Sequence, residues 1–176
     1  SVVARIKNTK TPFGIDFGVG DVIVPKQEKR QIPTQLDDFS APTVNTYSLE
    51  TTIAEKIDAI LSLMEFSSRM KDYYDIYYLA NKFDFDGATL TEALRKTFKN
   101  RGHAFTVEQF EQVMAFDGEE AMQKKWKAFC RKIDTKTDNY GTVLKTISDF
   151  LAKPFSAAIS SNNFSAKWHT DVCLWK

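Results

Sequence analysis

Asp16 is the first residue whose type and setting suit chemistry on phosphates. It lies between Ile15 and Phe17, in a short segment whose alternation predicts a strand, so its carboxylate is expected on the face opposite these apolar neighbours. A carboxylate on a rigid strand is a suitable ligand for Mg²⁺, which prefers hard oxygen atoms. The alternative interpretation is an ordinary Asp on a solvent-facing strand surface.

A second charged group lies in residues 69–75, which read Arg-Met-Lys-Asp-Tyr-Tyr-Asp. On a helix, Asp72 and Asp75 are three positions apart and share a face. The aromatic content indicates a largely buried helix, whose charges then need partners. The predicted partners are Glu55 and Lys56 on the preceding helix, because a short connection makes the two helices antiparallel neighbours. The cluster is either a functional site or a polar clasp between helices.

Several common catalytic signatures do not occur. The sequence contains no GxGxxG, GxxxxGK[ST], HExxH or GxSxG pattern. His103 and His169 have no acidic or cysteine partner at metal-ligand spacing, so both are predicted to be solvated loop residues. Cys130 and Cys173 also lack metal-ligand or CxxC spacing, which indicates reduced structural thiols and a cytoplasmic location.

The densest positive run of the sequence lies between residues 124 and 136. Its members are Lys124, Lys125, Lys127, Arg131, Lys132 and Lys136. Trp126 and Phe129 lie on the predicted buried stripe of this helix, so most of the cations fall on the solvent side. The run is interpreted as a solvated face, and contact with a phosphate backbone is the alternative.

The elements that must position these residues change in character along the chain. Short strands are predicted at residues 2–7, 13–17 and 31–36, with turn chemistry at 8–12. From Tyr47 onward the apolar period is helical, with Ser48, Thr106 and either Asp138 or Asn139 as N-caps. Helices are predicted near residues 48–64, 69–81, 89–99, 106–116, 119–133 and 140–152. Pro154 is expected to interrupt the last of these, with one more turn to Ile159. The last fifteen residues are polar and aromatic, and their hydrophobic positions show no regular period.

Strands followed by helices indicate an α+β fold rather than repeated βαβ units. We expect a small, incomplete N-terminal β-sheet followed by a bundle of five to six α-helices. The expected domains are residues 1–46, a partial β region, and residues 47–176, a helical domain.

Length and composition exclude several classes of protein. The 176 residues include 24 Lys and Arg against 23 Asp and Glu, for a net charge of +1. With 43% hydrophobic and 27% charged residues, the chain is a globular protein and not a disordered one. The balanced charge gives no overall drive toward nucleic acid or membranes, and the apolar runs are too short to span a bilayer.

Three segments, in order, resemble the AbiEii/AbiGii toxin family of nucleotidyltransferases, enzymes with a DNA polymerase β-like core. Residues 15–25 (Ile-Asp-Phe-Gly-Val-Gly-Asp-Val-Ile-Val-Pro) resemble the strand that carries the acid of the second motif. Residues 47–60 contain the Ala-Glu-Lys signature, and residues 69–77 match Arg-x-Lys-Asp-x-x-Asp-hydrophobic-Tyr.

The resemblance implies roles for individual residues. Asp16 would bind metal, Lys56 would contact nucleotide phosphate, and Asp72 with Asp75 would complete the catalytic pocket. The secondary phosphate contacts would be Arg69 and Lys71. The implied cofactors are Mg²⁺ and a nucleoside triphosphate (NTP). The implied acceptor is RNA, for example tRNA, or protein, and the implied partner is an antitoxin.

The sequence departs from the family at its first motif, a Gly-Ser turn followed by an Asp-x-Asp pair. This motif is expected upstream of Val2, yet no Gly-Ser dipeptide occurs, and the one Asp-x-Asp is Asp84-Phe85-Asp86 at a helix–helix junction. Mg²⁺ would then be held by Asp16 nearly alone. Because the first residues already resemble the inside of a strand, we expect the C-terminal portion of a nucleotidyltransferase, inactive by itself.

Two other functions stay open from the sequence. One is a non-catalytic helical module that binds an antitoxin or another protein. The other is a purely structural domain in which the charged cluster is only a clasp. The strand at Val2–Lys7 would also leave an exposed sheet edge, through which two copies of the chain could form a homodimer.

Overall fold

The computed structural model describes residues 1–15, 20–133 and 137–176. In these ranges short N-terminal strands precede six α-helices, which confirms the predicted α+β class. The helices are α1 (Leu49–Leu63), α2 (Met70–Lys82), α3 (Gly87–Arg101), α4 (Val107–Met114), α5 (Glu120–Ile133) and α6 (Tyr140–Ile159). The strands are β1 (Val2–Ile6), β2 (Thr9–Phe13), β3 (Glu28–Gln31), β4 (Thr43–Thr46), β5 (Phe85–Asp86), β6 (Lys167–His169) and β7 (Leu174–Trp175).

The N-terminal strands form two separate antiparallel ribbons in place of one sheet. β1 pairs with β2, with Val2 opposite Phe13, and β3 pairs with β4, with Glu28 opposite Thr46. The predicted turn at 8–12 is wrong, because the chain reverses at residues 7–8 and the polar residues that follow pair with β1. Of the predicted strand 13–17 only Phe13 is in a strand, and residues 16–17 lie outside the described ranges.

The third predicted strand is also displaced along the chain. The structure has β3 at Glu28–Gln31 instead of residues 31–36, and its partner β4 was not predicted. Both strands are predominantly polar and lie on the surface, so they carry no alternation between a buried and a solvent face.

The predicted periodicity of α1 places its apolar stripe in the core. Ile53, Ile57 and Ile60 have no solvent exposure. The helix begins where predicted, because the Ser48 side chain accepts a hydrogen bond from the Thr51 backbone at 3.1 Å. α1 packs against both α2 and α3, so its polar residues on either side of the stripe face a neighbouring helix.

α6 is the central helix and contacts α2, α3 and α4. The predicted interruption at Pro154 is wrong, since the helix continues through this buried proline to Ile159, where the sequence indicated one further turn. Phe150 and Phe155, on either side of this proline, are buried in the core, so packing holds the helix together across it. No helix in the described part of the chain combines the length and apolarity needed to cross a membrane.

A three-stranded sheet joins the α2–α3 junction to residues near 170. β5 pairs with β6, and β6 with β7, with Phe85 opposite Trp168. Trp168 is fully buried, and its indole Nε1 donates to the carbonyl oxygen of Ala80 at 2.7 Å. The segment for which the sequence predicted no element therefore completes the core beside α2.

The segment Gly20–Pro25, which we call the strap, lies across α1 and α3. The Val24 backbone nitrogen donates to Thr51 Oγ1 at 2.8 Å, and Ser48 Oγ donates to the Val24 carbonyl at 2.5 Å. At the other end Asn100 Nδ2 donates to the Gly20 carbonyl at 3.1 Å. The strap therefore fixes the second half of the Gly-x-Gly-Asp turn against the helices.

Candidate functional site

The charged cluster predicted between α1 and α2 is present. Lys56 Nζ lies 3.0 Å from Asp72 Oδ1 and 2.6 Å from Asp75 Oδ2. A 3₁₀ turn at Met64–Phe66 reverses the chain between the two helices, as the short connection required. The predicted pairing of Lys56 with both carboxylates is therefore confirmed.

Two further cations also pair with these carboxylates. Arg69 Nε donates to Asp72 Oδ2, and Lys71 Nζ lies 2.5 Å from Asp75 Oδ2. The side chains of Arg69 and Lys71 are 56% and 72% exposed, against 5% for Asp72. The three cations and two carboxylates leave one net positive charge, with the exposed cations outermost.

The electrostatics of the cluster keep Lys56 and Arg69 charged. Burial lowers the pKa of Lys56, but the hydrogen bonds and charges of Asp75 and Asp72 outweigh burial, so the pKa lies above its usual value. The hydrogen bond to Asp72 likewise raises the pKa of Arg69. The half-buried ammonium of Lys56, held between two carboxylates, therefore stays positively charged at neutral pH.

The prediction that Glu55 joins this cluster is wrong. Glu55 forms an ion pair with Arg101 at the end of α3, because one position along α1 rotates the side chain by about 100° to the other neighbour. Asp58 belongs to the same second cluster: its Oδ2 is 3.2 Å from Arg101 Nη1, and its Oδ1 is 2.8 Å from His103 Nδ1. The predicted solvated His103 therefore has a buried acidic partner.

The turn at Gly102 brings His103 to α1. Gly102 has φ of +69°, and its backbone nitrogen donates to the carbonyls of Lys99 and Phe98 as the end of α3. This left-handed conformation favours glycine because it has no Cβ. The sequence signal for the second cluster was therefore a Gly-His pair after a helix, which does not by itself identify a partner more than forty residues away.

Lys125 of α5 helps to position the backbone beside the cluster, a role that the sequence did not indicate. Its Nζ donates to the carbonyl oxygens of Glu65 at 3.0 Å and of Ser67 at 2.9 Å. Ser67 is fully buried, and its Oγ accepts from the Arg69 backbone at 3.1 Å. Lys125 thus fixes the chain just before the arginine of the cluster.

The described residues do not form a magnesium site by themselves. In those ranges no three His, Cys, Asp or Glu side chains come together as metal ligands. Asp84 and Asp86 are not a metal pair either: Asp84 accepts from Thr170, and Asp86 caps α3 by accepting from Thr89. Asp16, the predicted metal ligand, lies outside the described residues. The cluster around Lys56 offers exposed cations to an anion.

Comparison with protein families gives one match over almost the whole described chain. Residues 2–159 match the family model described as nucleotidyl transferase AbiEii toxin, type IV toxin–antitoxin system. The match covers the strap, α1 and α2, and so includes every described residue of the cluster. No curated protein and no solved structure matches the chain. The chain therefore belongs to the AbiEii nucleotidyl transferase toxin family.

Proposed function

We propose that this chain binds the triphosphate of an NTP at the α1–α2 cluster, as the nucleotide-binding part of a nucleotidyl transferase. The observation that carries the proposal is the fixed Lys56 ammonium between Asp72 and Asp75, with exposed Arg69 and Lys71 beside it. Family membership supports the same chemistry.

The arrangement suits phosphate because nucleotidyl transfer depends on charge neutralisation and alignment. The guanidinium of Arg69 can present two N–H groups to a phosphate, and Lys71 adds a mobile point charge. No side chain caps the N-terminus of α2, which begins at Met70 between these two cations. The backbone N–H groups of Met70 and Asp72 donate to the carbonyls of Ser68 and Arg69, so the attraction for an anion at this end comes from the two side-chain cations.

The carboxylates have a positioning role in this proposal. Asp72 and Asp75 hold Lys56 in one place, so its charge is already oriented when the nucleotide arrives. The Asp72 and Asp75 oxygens that hold Lys56 accept hydrogen bonds from cations of the cluster. The role proposed for Asp16 as a Mg²⁺ ligand rests on its sequence motif alone.

Transfer to an RNA or protein acceptor needs the metal-binding carboxylates of the family's first motif, which this sequence lacks. The 176 residues have no Gly-Ser turn followed by an Asp-x-Asp pair. We therefore expect NTP binding without transfer from this chain alone. A transfer assay with labelled NTP and either tRNA or protein tests this point: strong metal-dependent labelling would overturn the expected inactivity and leave the binding proposal standing.

Calorimetric titration with each of the four NTPs tests the binding site itself. We expect at least one NTP to bind, and the Arg69→Gln/Lys71→Gln variant to bind it at least about tenfold more weakly, since each lost charged hydrogen bond is worth about 1.5–3 kcal/mol. The matched control is Arg95→Gln/Lys96→Gln, which removes two cations paired with Glu92 on α3. Equal weakening in both variants, or no binding of any NTP, would refute the site.

A second candidate function, binding of a partner protein such as an antitoxin, is favoured by the loop between β3 and β4. Leu36 and Phe39 are about 60% exposed there. Thr34 Oγ1 donates to both of their carbonyls, so the loop presents the two apolar side chains in an ordered form. The test compares the affinity of the antitoxin for the wild type and for the Leu36→Ser/Phe39→Ser variant. Unchanged affinity would refute this role.

Self-association through β1 is a related proposal. All residues of β1 and β2 are exposed, including Val3 and Ile6, and β1 pairs on one side only within the described residues. Sedimentation of the wild type and of Val3→Lys tests it, because a charge on the edge strand disfavours strand pairing. Monomers at all concentrations would exclude the dimer.

A further inference from the structure

α5 concentrates the positive charge of the protein. It carries five cations and one acid, for a net charge of +4, while the whole chain has +1, so the remaining residues sum to −3. The cations are Lys124, Lys125, Lys127, Arg131 and Lys132, and the acid is Glu120. A field of one sign on one helix attracts a polyanion even though the chain as a whole is nearly neutral.

Three of these cations form one outward line, which we call the α5 ridge. Lys124, Lys127 and Arg131 follow each other at intervals of three and four positions and are exposed, while Met122 and Trp126 on the opposite face are buried. The helical rise places the two ends of the ridge about 10 Å apart. One strand of a duplex carries a phosphate about every 3.4 Å along the axis, so the ridge spans about three phosphates.

The ridge is poorly neutralised by the protein. Lys124 Nζ is 2.6 Å from Glu120 Oε1, but both side chains are more than 70% exposed, so the pair is weak. No carboxylate in the described ranges forms an ion pair with Lys127 or Arg131. Within the part of the chain that the structure describes, these two charges have no ion-pair partner, and they border a cleft that also contains Asp117 and Asp138.

The ridge lacks the apolar side chains that a protein partner needs. No large hydrophobic residue of α5 is among those exposed on the surface, and Ala121 and Ala128 lie beside the cations. Protein interfaces obtain most of their affinity from buried aromatic and aliphatic anchors. A nucleic-acid backbone needs only the cations, so the surface favours RNA over protein as the acceptor.

α5 is also fixed directly to the proposed nucleotide site. Lys125 bonds to the carbonyls of Glu65 and Ser67, just before Arg69, and Phe129 packs against Tyr74 of α2 with ring centres 5.8 Å apart. We propose that the α5 ridge binds the phosphodiester backbone of an RNA acceptor beside this site; the acceptor role rests on the proposed function, whereas RNA binding does not.

The test measures binding of a fluorescent single-stranded RNA by anisotropy between 50 and 200 mM salt. The ridge variant is Lys124→Gln/Lys127→Gln/Arg131→Gln. For single-stranded nucleic acid, each phosphate contact contributes about 0.7 to the steepness of log K plotted against log salt. Removing the three ridge cations should therefore make this plot shallower by about 2. Affinity at the lowest salt should fall at least about tenfold.

A matched variant separates the ridge from total charge. Lys10→Gln/Lys29→Gln/Lys145→Gln removes three exposed cations from other elements and should keep most of the slope. Equal loss in both variants, or no loss in the ridge variant, would overturn the proposal. Displacement of RNA by polyglutamate at equal charge concentration would assign the surface to an acidic protein. DNA of the same sequence should bind with a similar salt slope, because the ridge contacts phosphates and not the 2′-hydroxyl.

This design distinguishes a failure of the nucleotide site from a failure of the α5 ridge. The ridge variant should still bind NTP in the calorimetric titration, whereas Arg69→Gln/Lys71→Gln should still bind RNA with at least half of the wild-type slope. RNA binding without NTP binding would refute the nucleotide site alone. NTP binding with unaltered RNA binding in the ridge variant would refute the α5 ridge alone.

Discussion

His103 Nδ1 lies 2.8 Å from Oδ1 of Asp58, a carboxylate with no solvent exposure. Burial raises the pKa of Asp58, and the hydrogen bond and charge of His103 offset part of that rise. Asp58 is two positions beyond Lys56, which is about 200° around α1. The helix is thus held by charged contacts on both sides, toward α2 at Lys56 and toward the end of α3 at Asp58.

Replacing Asp58 should destabilise the fold without touching the proposed nucleotide site. Asp58→Ala leaves His103 and Arg101 without their buried partner, so we expect the free energy of unfolding to fall by about 2–3 kcal/mol. Urea denaturation measures this loss. Ser160→Ala is the control, since its hydroxyl donates to the Ser156 carbonyl at the exposed end of α6. A loss no larger than in the control would contradict a stabilising role for this carboxylate.

Lys56 should be important for stability as well as for binding. Lys56→Met leaves the carboxylates of Asp72 and Asp75 facing each other, and removing one partner of a buried pair costs about 3–5 kcal/mol, less here because Arg69 and Lys71 remain. Adding Asp72→Asn should recover part of the loss in a double-mutant cycle. Lys145→Met, which breaks an exposed pair with Asp149, should cost about 0.5 kcal/mol or less. Similar losses in Lys56→Met and Lys145→Met would refute this view.

Alkaline pH should unfold the protein through its buried tyrosines. Burial raises the pKa of Tyr73 to about 12, and its ring meets Tyr140 edge to face at 5.6 Å. Above pH 10 the unfolded state loses this proton first, so the stability present below pH 10 is lost as the pH rises toward 12. Tyr73→Phe should reduce that slope by about 1.4 kcal/mol per pH unit, measured by urea denaturation at several pH values. An unchanged slope would exclude Tyr73 as its source.

The strap should contribute stability through Ser48. Ser48→Ala removes both the N-cap of α1 and the bond to the Val24 carbonyl, and it should cost about 2 kcal/mol or more. Thr106→Ala removes only an exposed N-cap on α4 and should cost about 1 kcal/mol. Thermal and urea unfolding of both variants measure the difference. Equal costs would mean that the strap adds nothing to α1.

The helices were predictable because their signals are local. The stripe Ile53, Ile57 and Ile60 and the caps Ser48 and Thr106 depend on neighbours within one or two turns, and the structure has them where the sequence indicated. The pairing of Lys56 with Asp72 was equally local, since it followed from a short connection between two helices.

The elements that were missed depend on distant partners. β4 has no apolar alternation and exists because β3 pairs with it, and β6 forms where Trp168 reaches β5 and Ala80. The contact of Asp58 with His103 joins residues 45 positions apart. No window of sequence contains both members of such a pair, so periodicity and spacing could not identify them.

The hydrogen bond from the Trp168 indole to the Ala80 carbonyl also limits when the protein can finish folding during its synthesis. The two residues are 88 positions apart, so during synthesis α2 is made long before the indole that covers its end. Until residue 168 has left the ribosome, the apolar side chains around Ala80 and Phe85 lack their cover, and the helices cannot reach their final packing. The nascent chain would therefore stay incompletely folded, and open to proteases and chaperones, until residue 168 has been synthesised.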